Sequence, residues 1–209
     1  VTDNGITLID AWELPEDRID ESVARWRERV TLIRTAPGFR DARLHRRVHP
    51  ESRLGLVNVA HWDSVEARDE ALAHPDFTAS AATAAGYATV HGGWYQVAAE
   101  WATVEGSAGE GPGITLINAF ELPAERIDEW LPHRLDQAEL MSKAPGFRDS
   151  RLHRAVAPDT RFQLVDIAHW DSPEAWHAAD SGSRLRQPPS TSPDFAVATP
   201  ALFRVVAGF

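Results

Sequence analysis

A chain of 209 residues with a formal charge of −10 and no cysteine excludes several classes at once. The acidic balance argues against a nucleic-acid or anionic membrane surface, since both reward clustered Lys and Arg. The absent thiol removes disulfides, thiolate ligands and cysteine nucleophiles. No apolar run reaches about 18 residues and no signal-peptide pattern opens the chain, which predicts a cytoplasmic protein.

Gly5 to Trp12 is a short apolar run that reads as a strand, with Ile6, Leu8, Asp10 and Trp12 on one face. From Pro15 to about Thr35 the period changes. Ile19, Val23, Trp26, Val30 and Ile33 recur at steps of four and three, the mark of one apolar helix face. Ala36-Pro37-Gly38 stops that helix. Strands are predicted over 39–48 and 53–62, with a turn at His49-Pro50-Glu51-Ser52 between them. Asp63-Ser64 suits a helix N-cap, His74-Pro75 breaks that helix, and alanine-rich 77–85 reads as another. Gly92-Gly93 then precede a last strand from Trp94 to about Thr103. The order is β-α-β-β-α-β, the ferredoxin-like motif.

The same order returns. LVNVAHWDS (56–64) reappears as LVDIAHWDS (164–172), 108 residues later, and APGFRDARLHR (36–46) as APGFRDSRLHR (144–154) at the same spacing. A long period seen twice is a duplicated domain, not a solenoid. The expected layout is a repeat over 1–104, a Gly-rich linker over 105–112 and a second repeat over 113–209. Pro132 falls inside the second long helix and should kink it. The stretch 180–194 is poor in helix formers and reads as a loop. The fold class is α+β, two ferredoxin-like repeats that cover each other sheet to sheet, so that one chain makes a pseudo-twofold pair and can be monomeric.

APGF followed by RLHR, then a strand ending in AHWDS and a helix opening with EA, resembles the antibiotic biosynthesis monooxygenase family in both copies. The resemblance implies a dimeric α+β barrel, here as a fused pair. It also implies oxidation of a polycyclic aromatic, anthrone- or naphthol-like intermediate of polyketide metabolism by O2, without metal or flavin. Reduced flavin from a partner reductase is the alternative. Its site is similar to an Asn and a Trp four residues apart on the third strand, a pattern met by Asn58 and Trp62. The second copy has Asp166 and Trp170 there, while a first-strand Asn position is Asp10 in copy one and Asn118 in copy two. The two cavities are therefore expected to differ, with the better formed one in copy one. Asp10 or Asp166, under helices in an apolar cavity, could act as a base of raised pKa.

Trp12, Trp26, Phe77 and Trp130 are candidates for the substrate walls. On the long helix Trp26 aligns with Arg134, and Trp130 with Ser22. Each tryptophan also reads as plain core packing. His61 and His169 fall on the strand face opposite Trp62 and Trp170, and with His45 and His153 they read as structural rather than as metal ligands. Competing functions are a polyketide cyclase or other non-redox catalyst, and a ligand-binding protein without turnover. Haem degradation is weaker, because the helix after Pro75 offers no His and His74 lies just before it.

Overall fold

A computed structural model describes residues 5–81, 86–102, 113–186 and 194–209. The chain divides into two compact units. One is 1–96 with 205–209, and the other is 97–204. The expected linker lies outside the described residues.

The first unit holds β1 (Ile6–Glu13), α1 (Ile19–Ile33), β2 (Phe39–Arg47), β3 (Leu56–Trp62), α2 (Val65–Leu72), α3 (Pro75–Ala81) and the start of β4 (Thr89–Ala102). β1 lies between β3 and β4, and β2 flanks β3, all antiparallel. This is the ferredoxin-like order expected from the sequence. The final residues of β8 (Val197–Gly208) also belong to this unit. Phe209 and Ala42 exchange backbone hydrogen bonds of 3.1 and 3.0 Å.

Alternation divides the sheet as the sequence predicts. Asn58, Ala60 and Trp62 face α1, whose buried stripe is Ile19, Ser22, Val23, Trp26, Val30 and Ile33. Each of these apolar side chains contributes roughly 1.5–3 kcal/mol on burial. A 3-10 turn at Glu16–Arg18, entered from Pro15, leads into α1. Arg46 ties that start to β2 through Asp20 at 2.6 Å and Glu16 at 3.0 Å.

The repeated motifs are joints of the fold. Gly38 has φ +82°, and a Cβ there would meet the Ala67 Cβ at 2.6 Å. Gly thus serves both the left-handed turn and the close approach of α2. Arg40 reaches Asp63 at 2.6 Å, the Ser64 hydroxyl caps α2 from 3.2 Å, and Phe39 stands edge-on to Trp62 at 5.2 Å. His61 lies opposite the tryptophan face and pairs with Asp41 at 2.9 Å.

The second unit repeats the order with β5 (Ile114–Glu121), α4 (Ile127–Met141), β6 (Phe147–Ala155), β7 (Leu164–Trp170), α5 (Pro173–Arg186) and most of β8. The same joints recur: Gly146 at φ +82°, Arg148 on Asp171 at 2.7 Å, and Phe147 edge-on to Trp170 at 5.3 Å.

Two expectations need revision. β4 begins at Thr89, so Gly92 and Gly93 lie inside the strand rather than before it. The loop expected from residue 180 is helix as far as Arg186, with 187–193 outside the described residues. The reason is local: where Pro75 separates α2 from α3, the second copy has Ser183, which lets the helix continue.

Candidate active site

Antiparallel register fixes the centre of the first unit. Asp10 on β1 stands opposite Asn58 on β3 and opposite Gly92 on β4. Asn58 donates through Nδ2 to Asp10 Oδ2 at 3.1 Å, and its Oδ1 accepts from the Trp26 indole N–H at 3.1 Å. The amide is therefore oriented by a donor on one side and a carboxylate on the other. Gly92 makes room for the acid, since a Cβ there would lie 2.6 Å from Asp10 Oδ1. Removal from bulk water pushes the Asp10 carboxyl above its ordinary value, opposed by the Asn58 hydrogen bond and by the charges of Arg68 and Arg29. Desolvation outweighs the three opposing influences.

These groups open onto a cavity of about 540 Å³. That volume falls within the range of small-molecule sites. Trp12, Trp26, Phe39, Trp62, Phe77 and Tyr87 supply aromatic walls. Asp10, Asn58, Ser22, Arg29 and Arg68 supply polar ones. The Ser22 and Tyr87 hydroxyls lie 3.3 Å apart. The Trp12 indole N–H has no partner among the described residues. The residues singled out in the first copy, Asp10, Asn58, Trp62, Trp12, Trp26 and Phe77, thus line one space. Sequence reasoning missed Gly92, Arg29, Arg68 and Tyr87. A Gly-Gly pair set in a strand, and an arginine three residues from Trp26 on the buried helix face, were signals available for two of them.

At the matching place in the second unit Arg134 and Ser150 hold the acid, although Arg134 Nε has no partner among the described residues. Arg134 stands where Trp26 does, and its Nη2 makes a close ion pair with Asp166 Oδ2. Ser150 donates to Asp166 Oδ1 at 2.6 Å, and Arg134 also reaches Gln137 at 3.1 Å. Arg134 and Asp166 are both buried. Trp130 stands where Ser22 does and packs edge-on against Phe120 at 4.8 Å. Asn118 lies opposite Asp166 in register, and its Oδ1 has no partner among the described residues. Trp170 is buried against Phe147, as Trp62 is against Phe39.

The histidines do not converge. His45 and His49 are four apart, but that spacing gathers two ligands only on a helix. Here His45 is buried in β2 and His49 is exposed in the following turn. Among the described residues no group of three or more His, Cys, Asp or Glu could hold a metal ion. No described helix is long and apolar enough to cross a membrane.

A ferredoxin-like unit whose sheet and helices enclose an aromatic-walled cavity around one desolvated acid defines a protein that acts on small molecules. The model of the antibiotic biosynthesis monooxygenase family matches residues 5–83 and 113–186, and the chain belongs to that family. Its fold is the expected α+β one, built of two ferredoxin-like halves. The chain is similar to an anthrone oxidase-like protein at TM-score 0.75 and 16% identity, covering 100% of this chain and 95% of the other. A protein of Fusobacterium nucleatum subsp. nucleatum described as a monooxygenase is similar at TM-score 0.65 and 10% identity, covering 98% and 93%. A chlorite dismutase of Candidatus Nitrospira defluvii is similar at TM-score 0.58 and 10% identity, covering 98% and 91%. At such identities the likeness shows the fold alone, and the chemistry has to be argued from the site. No curated protein matches the sequence.

Proposed function

We propose that the first unit oxidises a polycyclic aromatic, anthrone- or naphthol-like compound with O2, using Asp10 as the base. The observation that carries this reading is the chain from Trp26 through Asn58 to Asp10, which ends on a carboxyl of raised pKa facing an aromatic-walled cavity. An anthrone methylene is acidic because its anion is delocalised over three rings. Asp10 takes one of its protons, and a carboxyl set back from water is a stronger base than an exposed one. Asn58 holds Oδ2 and so aims the acid. Trp12 stands in the cavity wall beside the acid.

The electron-rich anion then reduces O2. The methylene loses two hydrogens and becomes a carbonyl, a four-electron oxidation. It matches the four electrons that turn O2 into that carbonyl oxygen and one water. The proton taken by Asp10 returns with the departing oxygen. Aromatic walls stack the rings and exclude bulk water from the anion. No metal or flavin takes part in this reading. Reduced flavin fed by a partner reductase is the variant to test beside it.

An acid in an aromatic cavity also suits a non-redox proton abstraction, as in a polyketide cyclase. An oxygen electrode separates the two. With dithranol as substrate, uptake above the spontaneous rate, without added flavin and lost in Asp10→Asn and Asn58→Ala, is the expected result. Uptake that persists in Asp10→Asn removes the base assignment. Uptake appearing only with a flavin reductase and NADH selects the flavin-fed reaction. Product without uptake selects the cyclase, and ligand-induced stabilisation without product selects a binding protein.

A further inference from the structure

Two arginines on the cavity wall take no part in the chemistry above. Arg29 sits on α1, one turn from Trp26, and its guanidinium lies over the Phe77 ring, 4.5 Å from the centroid. Arg68 sits on α2 with its guanidinium 5.6 Å from the Trp94 ring centroid. Both line the cavity that holds Asp10. In each, Nε is buried without a hydrogen-bond partner among the described residues. Arg68 reaches only its exposed neighbour Asp69, at 2.9 Å. Both charges are felt by Asp10, yet among the described residues neither forms an ion pair with it. Other charged groups at the same wall are accounted for: Arg25 pairs with Glu21 at 2.9 Å, and Glu28 is exposed.

A half-buried guanidinium with idle donors is costly unless something takes them. Stacking on an aromatic ring pre-orients its fork, the geometry that suits a carboxylate. The second unit has Gln137 and Trp176 at the equivalent positions. The pair therefore accompanies the unit where Asp10 has no cationic partner, and is missing where Arg134 has closed on Asp166.

We propose that the substrate of the first unit is an aromatic acid, and that Arg29 and Arg68 hold its carboxylate while Asp10 meets the carbon to be oxidised. The inference rests on reading this cavity as an aromatic oxidation site, and its test is separable from that reading. Binding of anthraquinone-2-carboxylate and of anthraquinone-2-carboxamide is measured by calorimetry on the full chain. The unaltered protein should prefer the carboxylate about tenfold or more, as expected for a charge-assisted fork. The preference should shrink with added salt and vanish in Arg29→Gln/Arg68→Gln. Glutamine already stands at the Arg29 position of the other unit, and Arg29→Lys/Arg68→Lys, which keeps charge without the fork, should retain part of the preference. Equal affinity for both compounds in the unaltered protein overturns the proposal, as does a preference that survives loss of both arginines. Oxygen uptake is measured beside binding, with an anthrone that carries a ring carboxylate. If the unaltered protein binds that compound but does not oxidise it, while the carboxylate preference stands and falls with the arginines, the oxidase reading fails and the aromatic-acid site remains.

Discussion

Position 26 of the first unit is an indole that donates to Asn58, and the equivalent position of the second is a guanidinium paired with Asp166. Both units carry an acid in the same part of the sheet, and the two acids have opposite fates. Asp166 accepts from Arg134 and Ser150, and both its oxygens are spent. Asp10 meets only a neutral amide and stays raised above its usual range. Size follows the same logic. Ser22 borders an open cavity, whereas Trp130 at its equivalent position is buried in the second core. A duplicated fold thus keeps its joints in both copies while the polar centre of one is made available and that of the other is neutralised.

Substitutions can break or sharpen this contrast. The largest effect is expected at Asp10. Asp10→Asn should lower oxygen uptake by about 10²- to 10⁴-fold, the usual worth of a general base. In the unaltered protein, activity should rise with pH through an Asp10 pKa lying above 3.8, and that limb should disappear in the variant. Stability moves the other way. Because the folded-state pKa is raised, Asp10 favours the fold while protonated, and that contribution is lost as pH rises through the folded pKa. Asp10→Asn should therefore raise the Tm at neutral pH and not at a pH below the ordinary value.

Asp166→Ala tests the opposite partner. It strands a buried guanidinium, which costs about 3–5 kcal/mol in urea unfolding, while turnover per folded molecule is retained. Gly92→Ala pushes a methyl toward Asp10 Oδ1 and should cut activity about 10- to 100-fold with little change in Tm. Smallest is Ser22→Trp, which copies the second unit. It should weaken binding of an anthraquinone about tenfold, or about 1.4 kcal/mol, read by calorimetry.

Two joints were legible because they close locally: the stop of α1 at Ala36-Pro37-Gly38 and the Ser64 cap of α2. The contact of Arg40 with Asp63 was not, since it joins side chains 23 residues apart across the strand ends. Asp10 and Asn58 were legible as a shared face, since alternation alone places both toward the helices. Their state was not. Whether an acid is neutralised depends on what arrives from the long helix, α1 or α4, and the alignment of Trp26 with Arg134 did not say which side chain reaches the acid. Gly92 was missed for a similar reason. Its function is a distance to Asp10 across the β1–β4 ladder, which only the register supplies. The continuation of α5 to Arg186 was misjudged from composition, when the absence of a proline at Ser183 was the better signal.

The assignment of Val205–Phe209 to the first unit has a consequence for the order in which the protein is made. Phe209 packs 5.8 Å from the Trp26 ring and pairs with the backbone of Ala42. The unit that carries the cavity is begun first and completed last. At about 5–20 residues per second, a ribosome needs roughly 5 to 20 s to travel from Gln96 to Val205. Until then the Ala42 edge of β2 is an open template for another strand, and Trp26 lacks one of its walls.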